Sequence, residues 1–190
     1  VTDHFLSLSL PRKAALPEEE IREAFHEIGR RHHPDSGESP DAEIFGAGNV
    51  AQQVLSDPGK RIGHLLELVF EGREREHGGS IDGVLMGIFS EVGTVLPLAD
   101  ALVRKKAAVQ STLAKALLEK ETVAVQKKLT GATTSVTSLT EGCLARLEEL
   151  DTLLARAPEE GWALGQTLYR ELSFLTRWKM QLQESFAKLF

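Results

Sequence analysis

The chain has 190 residues, 42% of them hydrophobic and 26% charged, enough for one large domain or two small ones with an apolar core. Its single cysteine, Cys143, excludes an intramolecular disulfide and any multi-cysteine zinc site, which fits a reducing compartment. The formal net charge of −6 sits entirely in residues 1–78, which hold 9 Lys+Arg against 15 Asp+Glu and all six histidines. A net-acidic first part argues against a nucleic-acid partner there. No apolar run approaches the ~18 residues of a membrane span, so no membrane partner is expected. The opening stretch carries Asp3 and His4 and lacks a basic region, so no signal peptide is expected; because it opens on Val, an upstream segment could have been removed.

Taken in order, Asp3 to Leu10 reads as a short helix or turn ended by Pro11. Pro17 then opens a helix to His32, with Glu18, Glu19 and Glu20 at the positive end of its dipole. Ile21, Ala24, Phe25 and Ile28 recur at the spacing of one buried face. Arg22, His26 and Arg30 share another face, with Arg31 beside it. A second helix runs from about Asp41 to Leu55, where the small residues Ala47, Gly48 and Ala51 permit close approach to the first. Asp57-Pro58 caps and starts a third, with Ile62, Leu65, Leu66 and Val69 on its apolar face. Gly72 to Gly79 reads as a linker.

From Ser80 the pattern is again helical. Ile81, Val84, Leu85, Ile88 and Phe89 form a stripe that Gly93 and Pro97 are expected to interrupt. Leu98 to about Leu129 reads as one long helix, Thr130 to Ser135 as a polar break, and Leu139 to Leu154 as a resumed helix. Ala157-Pro158 ends that piece, and Glu159 to Phe190 forms the last helix. No segment reads as a strand. The expectation is an all-α fold, with a helical-hairpin domain over 1–76 and an antiparallel helical bundle over 80–190.

Between the first two long helices stands His33-Pro34-Asp35, followed by the turn formers Ser36 to Pro40. Pro34 donates no backbone hydrogen bond and pushes His33 out of the helical region, so the helix stops there. The tripeptide is an exposed cap carrying an imidazole and a carboxylate.

These residues together resemble a J-domain. The resemblance rests on Asp3, Phe5, Leu8 and Leu10-Pro11; on Arg30-Arg31-His32-His33-Pro34-Asp35; on Asn49, Ala51 and Val54-Leu55; and on Ser56-Asp57-Pro58 followed by Lys60-Arg61. Arg61 with Leu65-Leu66 and Leu68, Val84-Leu85-Met86, and Trp162 with Leu172 to Leu175 are similar to the HscB family of iron–sulfur co-chaperones. That resemblance implies a co-chaperone, not itself an enzyme and without catalytic residues or cofactor. Its J-domain would dock on a DnaK/HscA-type ATPase through His33, Pro34 and Asp35, with Arg22, His26, Arg30 and Arg31 as the basic contact face. Its bundle would bind an IscU-type scaffold protein through Leu85, Met86, Phe89 and Phe174. It implies a cytoplasmic protein, or a mitochondrial-matrix one if a leader was removed. The sequence departs from the family at His32, Gln52 and His64, where aromatics are usual, and at Gly87, Ser90 and Gly93, where the family has acidic residues. The middle of the bundle is longer than in the family.

Blander readings stand beside these. His33 and Asp35 could be a helix stop alone, and the arginines a solvated face. Leu85, Met86, Phe89 and Phe174 could all be bundle core, and the bundle could recruit a different client or pair with itself. A degenerate J-like hairpin in a structural helical protein is the third reading. His26, His32 and His33 diverge at a helix end without acidic or Cys partners at ligand spacing, so no metal is expected. His33 and Asp35 on an exposed turn lack the pocket that catalysis needs.

Overall fold

The computed structural model of the chain describes residues 2–35, 38–74 and 83–189. The expected loop residues Ser36 and Gly37, linker residues 75–79 and stripe residue Ile81 lie outside them. Eight helices are described: α1 (His4–Ser7), α2 (Glu18–His32), α3 (Ala42–Leu55), α4 (Pro58–Val69), α5 (Gly83–Ala108), α6 (Thr112–Leu144), α7 (Leu147–Arg156) and α8 (Pro158–Ala187). The described residues contain no strand, and the fold is all-α as the periodicities require.

The chain divides into two compact units. The first is Val1–His77 with Cys143–Ser173, the second Gly78–Gly142 with Phe174–Phe190. The break after residue 77 lies where the linker was expected. The partition into 1–76 and 80–190 nevertheless differs from the structure, because α7 and the first half of α8 belong with the first unit. Three contacts explain why. The Ala14 and Ala15 N–H groups donate to the Asp151 carboxylate at 2.6 and 2.9 Å. Phe70 packs edge-on against Trp162, at 4.9 Å between centroids. Gly165 lets α8 lie directly on α4, since a Cβ there would stand 2.8 Å from Leu66 Cδ2.

Within this unit the local chemistry follows the sequence closely. Asp3 caps α1, accepting from the Phe5 and Leu6 N–H groups at 3.0 and 3.2 Å. Burial alone would raise its pKa, but the hydrogen bond and charge of Arg12, with those two N–H groups, hold it below its ordinary value. Asp41 and Asp57 cap α3 and α4 through their carboxylates. Pro17 stands one place outside α2, at its N-cap. Gly48 brings α3 against α2, where a Cβ would meet Ile28 Cγ2 at 2.9 Å. Phe5, Leu8, Ile21, Ala51, Leu55, Ile62, Leu65 and Leu66 form the core. Arg61 is buried with them, its pKa lowered by burial against the opposing charge of Asp151, Asp57 and Glu18. Its Nε donates to the Ala14 carbonyl at 2.9 Å, and Nη1 donates to the Leu55 carbonyl.

His64 takes an aromatic's place in this core. It is 6% exposed, its ring lies nearly parallel to Phe5 at 5.6 Å, and its Nε2 accepts the His4 N–H at 3.0 Å. Burial, then the neighbouring His4, lowers its pKa, outweighing Asp3 and Glu67.

The second unit corrects three expectations. α5 runs unbroken through Gly93 and Pro97. Pro97 is exposed, and the carbonyl it cannot bond belongs to side-chain-free Gly93, which is open to solvent. The long helix expected over 98–129 breaks instead at residues 109–111, where α5 turns into α6. The expected polar break at 130–135 is continuous helix. There Thr130, Thr133, Thr134 and Ser135 each donate a hydroxyl hydrogen bond to the carbonyl four residues earlier, while Leu129, Ala132 and Val136 stay buried. α5 is also long and apolar enough by composition to cross a membrane, which a count of unbroken apolar runs overlooked because Gly, Ser and Thr interleave. Its Leu85, Ile88, Val92, Val95, Ala99 and Leu102 are buried. Lys105 pairs with Glu121 at 2.6 Å across the α5–α6 hairpin, and Lys106 donates to the Leu189 carbonyl at 2.6 Å.

Two outcomes follow. Asp151→Ala leaves two backbone N–H groups without their carboxylate and should cost roughly 2 kcal/mol in urea unfolding of the first unit; an unchanged midpoint and slope would contradict the assigned role. Because folded His64 binds a proton less readily than unfolded His64, the stability it contributes is full above about pH 6.5 and is lost as pH falls below it. His64→Gln, which keeps an acceptor but cannot titrate, should flatten that part of the stability–pH curve. An identical acid slope in the variant would count against His64 as its source.

Candidate functional site

The tip of the α2–α3 hairpin carries His33, Pro34 and Asp35. Pro34 and Asp35 are exposed and His33 is half-buried. The His33 ring stands edge-on to Phe45 of α3, 4.9 Å between centroids, and Phe45 in turn lies 6.1 Å from Phe25. The Asp35 N–H donates to His33 Nδ1 at 3.2 Å. The imidazole is thus held from below by an aromatic and from the side by the loop backbone.

The returning loop is strapped to the end of α2. The Glu38, Ser39 and Asp41 N–H groups donate to the Arg30, Arg31 and His32 carbonyls at 3.2, 2.7 and 3.1 Å, satisfying carbonyls that the helix end would leave open. His32 Nδ1 lies 2.9 Å from the Ser39 carbonyl oxygen. His32, noted as a departure from the family resemblance, thus sits within hydrogen-bonding distance of the returning loop.

Arg22, His26, Arg30 and Arg31 are all exposed on α2. The arginines are engaged locally. Arg22 pairs with Glu19. Arg30 forks onto Glu27, with Nε and Nη2 donating at 3.0 and 2.8 Å, and also pairs with Glu38. Arg31 Nε reaches the same Glu27 at 2.5 Å. Hydrogen bonding from Arg30, then the charges of Arg30 and Arg31, keeps the Glu27 carboxyl below its usual range, and Glu27 raises Arg30 in return.

In the second unit the four apolar candidates separate. Met86 and Phe89 are exposed at 48% and 56%, whereas Leu85 is buried at 2%. Leu85 therefore belongs to the core and cannot itself meet a partner: it lies on the inward stripe with Ile88 and Val92. Phe174 is half-buried and stacks on Trp178 at 5.7 Å, and Phe89 lies 6.0 Å from the same indole. Trp178 is thus the platform of an aromatic cluster that the sequence reading did not include. Its position four residues after Phe174, on one helix face, was the available signal.

Among the described residues no three His, Cys, Asp or Glu side chains are grouped to hold a metal ion. Cys143 is buried and donates to Glu171 at 3.3 Å; burial, then that carboxylate, pushes its pKa up to about 12, so the reactive thiolate is suppressed.

Residues 3–63 match the family model of the DnaJ domain. Over 60 residues the chain is 45% identical to chaperone protein DnaJ 2 of Thermus thermophilus, covering 31% of this chain and 21% of that protein. It is 43% identical to chaperone protein DnaJ of a Roseiflexus species, again over 31% of this chain and 16% of the relative. The chain therefore spans about a fifth or less of the length of these curated relatives. Among solved structures, chaperone HscB from Vibrio cholerae matches with a TM-score of 0.62 at 21% identity, over 100% of both chains. At that identity the likeness is one of fold, and it extends beyond the hairpin to both units. Residues 3–63 are thus a DnaJ domain with His33-Pro34-Asp35 at its hairpin tip, in a chain with an HscB-like all-α fold.

Proposed function

We propose that this chain is a co-chaperone that docks on a DnaK-type ATPase and accelerates its ATP hydrolysis. The observation that carries the reading is the His33-Pro34-Asp35 tip, with Pro34 and Asp35 exposed and His33 buttressed by Phe45, flanked by arginines inside a DnaJ domain. Asp35 can accept charge-assisted hydrogen bonds from a partner arginine, stronger than neutral ones. The mechanism needs no chemistry in this chain. Docking that is tighter to the hydrolysing state of the partner than to its resting state shifts the partner toward hydrolysis.

The second unit, in this reading, carries an iron–sulfur scaffold protein of the IscU type to that chaperone. Met86, Phe89 and Phe174 on the Trp178 platform would form its docking surface, with Leu85 holding the helix in place from beneath. The HscB-like fold supports this assignment. A different protein client is the second reading, favoured by one observation: the surface beside Met86 presents Gly87, Ser90 and Gly93, with no carboxylate at those three positions.

Single-turnover ATP hydrolysis by a DnaK-type chaperone should accelerate in the presence of the wild-type chain and return to the basal rate with His33→Gln. Equal stimulation by the variant would remove the tip from the mechanism. For the client, an IscU-type scaffold should be retained by the wild type and lost from Met86→Ala/Phe89→Ala, both exposed positions whose truncation spares the core. Absence of scaffold binding by the wild type would replace the scaffold reading with the second one.

A further inference from the structure

On the outer surface of α2, three guanidinium groups stand against three carboxylates: Arg22 on Glu19, Arg30 on Glu27 and Glu38, Arg31 on Glu27. Each guanidinium group of the face that would meet the chaperone is therefore already paired with a carboxylate of this chain. Glu27 is its centre. One carboxylate oxygen, Oε1, is within reach of both Arg30 Nη2 at 2.8 Å and Arg31 Nε at 2.5 Å, and Oε2 completes the fork to Arg30 Nε. Glu38, on the strapped loop, closes the other side of Arg30.

Resting on the docking reading above, we infer that Glu27 is a specificity-determining residue: an internal carboxylate that occupies Arg30 and Arg31 and that a partner's own carboxylates must displace. Exposed ion pairs contribute little to stability, so the exchange is accessible. It is also selective. A diffusely acidic surface gains nothing over the carboxylate already in place. A partner that presents carboxylates shaped to fork onto both guanidinium groups regains the bidentate geometry. Because an ion pair is exchanged for an ion pair, docking should carry little long-range steering and only a shallow dependence on salt.

Two measurements test this, both on the full chain. The first is the concentration of protein giving half-maximal stimulation of a DnaK-type ATPase, at low and physiological ionic strength. The second is binding of an oligoglutamate peptide, followed by the NMR signals of the arginine Nε–H groups, which needs no chaperone. Glu27→Gln should lower the half-maximal concentration about three- to tenfold at low salt, steepen its salt dependence, and tighten oligoglutamate binding in the same direction. Glu27→Gln/Glu38→Gln should go further. Glu23→Gln, an exposed α2 position outside the described ion pairs, changes net charge equally and should shift either quantity by less than about twofold. Oligoglutamate binding by Glu27→Gln that is unchanged or weaker than wild type overturns the inference, as does an equal gain from Glu23→Gln. Failure of the docking reading looks different: wild type and His33→Gln would then stimulate alike, while the peptide measurement would still decide the role of Glu27.

Discussion

The first unit depends on how one short irregular segment is held. After α1 the chain passes through Pro11 to Leu16 without regular structure, and its peptide groups need partners from elsewhere. Arg61, buried in α4, takes the Ala14 carbonyl, and Asp151, in α7, takes the Ala14 and Ala15 N–H groups. A positive and a negative side chain thus grip the same stretch of backbone from opposite chemical ends. Arg61 also caps the Leu55 carbonyl at the end of α3. The grip ties together α3, α4, α7 and the segment that leads into α2. It explains why residues far along the chain, from Cys143 to Ser173, belong to the same compact unit as the DnaJ domain.

The same unit sets an imidazole and a carboxylate side by side in sequence at the tip of the α2–α3 hairpin. His33 rests on Phe45, and Phe45 on Phe25, so the imidazole is oriented by the apolar seam between α2 and α3. The exposed Asp35 follows, its N–H donating to His33 Nδ1. The arginines of α2 are neutralised by their own helix neighbours and by Glu38. What the hairpin offers is a surface whose arginines are already paired within the chain. In the proposed docking, recognition by such a surface would rest on the geometry of exchange more than on net attraction.

Much of the first unit was legible in the sequence because its signals are local. Pro34 ends α2, Asp57 caps α4, and Gly48 marks the α2–α3 approach. The Asp151 grip was not legible, since it joins positions 137 residues apart with no periodicity linking them. In the second unit the misreadings came from treating residue type as destiny. Pro97 lies at an exposed position where its missing bond falls on Gly93, and the Thr-rich stretch satisfies its hydroxyls inside the helix. Both were expected to break helices, and both lie within them. Leu85 was grouped with Met86, Phe89 and Phe174 because the family resemblance implied it, with bundle core as the alternative. Its helical angle places it with the core.

Hydrogen exchange of the full chain, with and without an ATP-bound DnaK-type chaperone, tests the central claim most directly. Docking through the hairpin tip predicts added protection along the second half of α2 and across His33 to Ser39, with no change in the α5 amides around Met86 and Phe89. Protection confined to the second unit, with α2 and the tip unchanged, would contradict it.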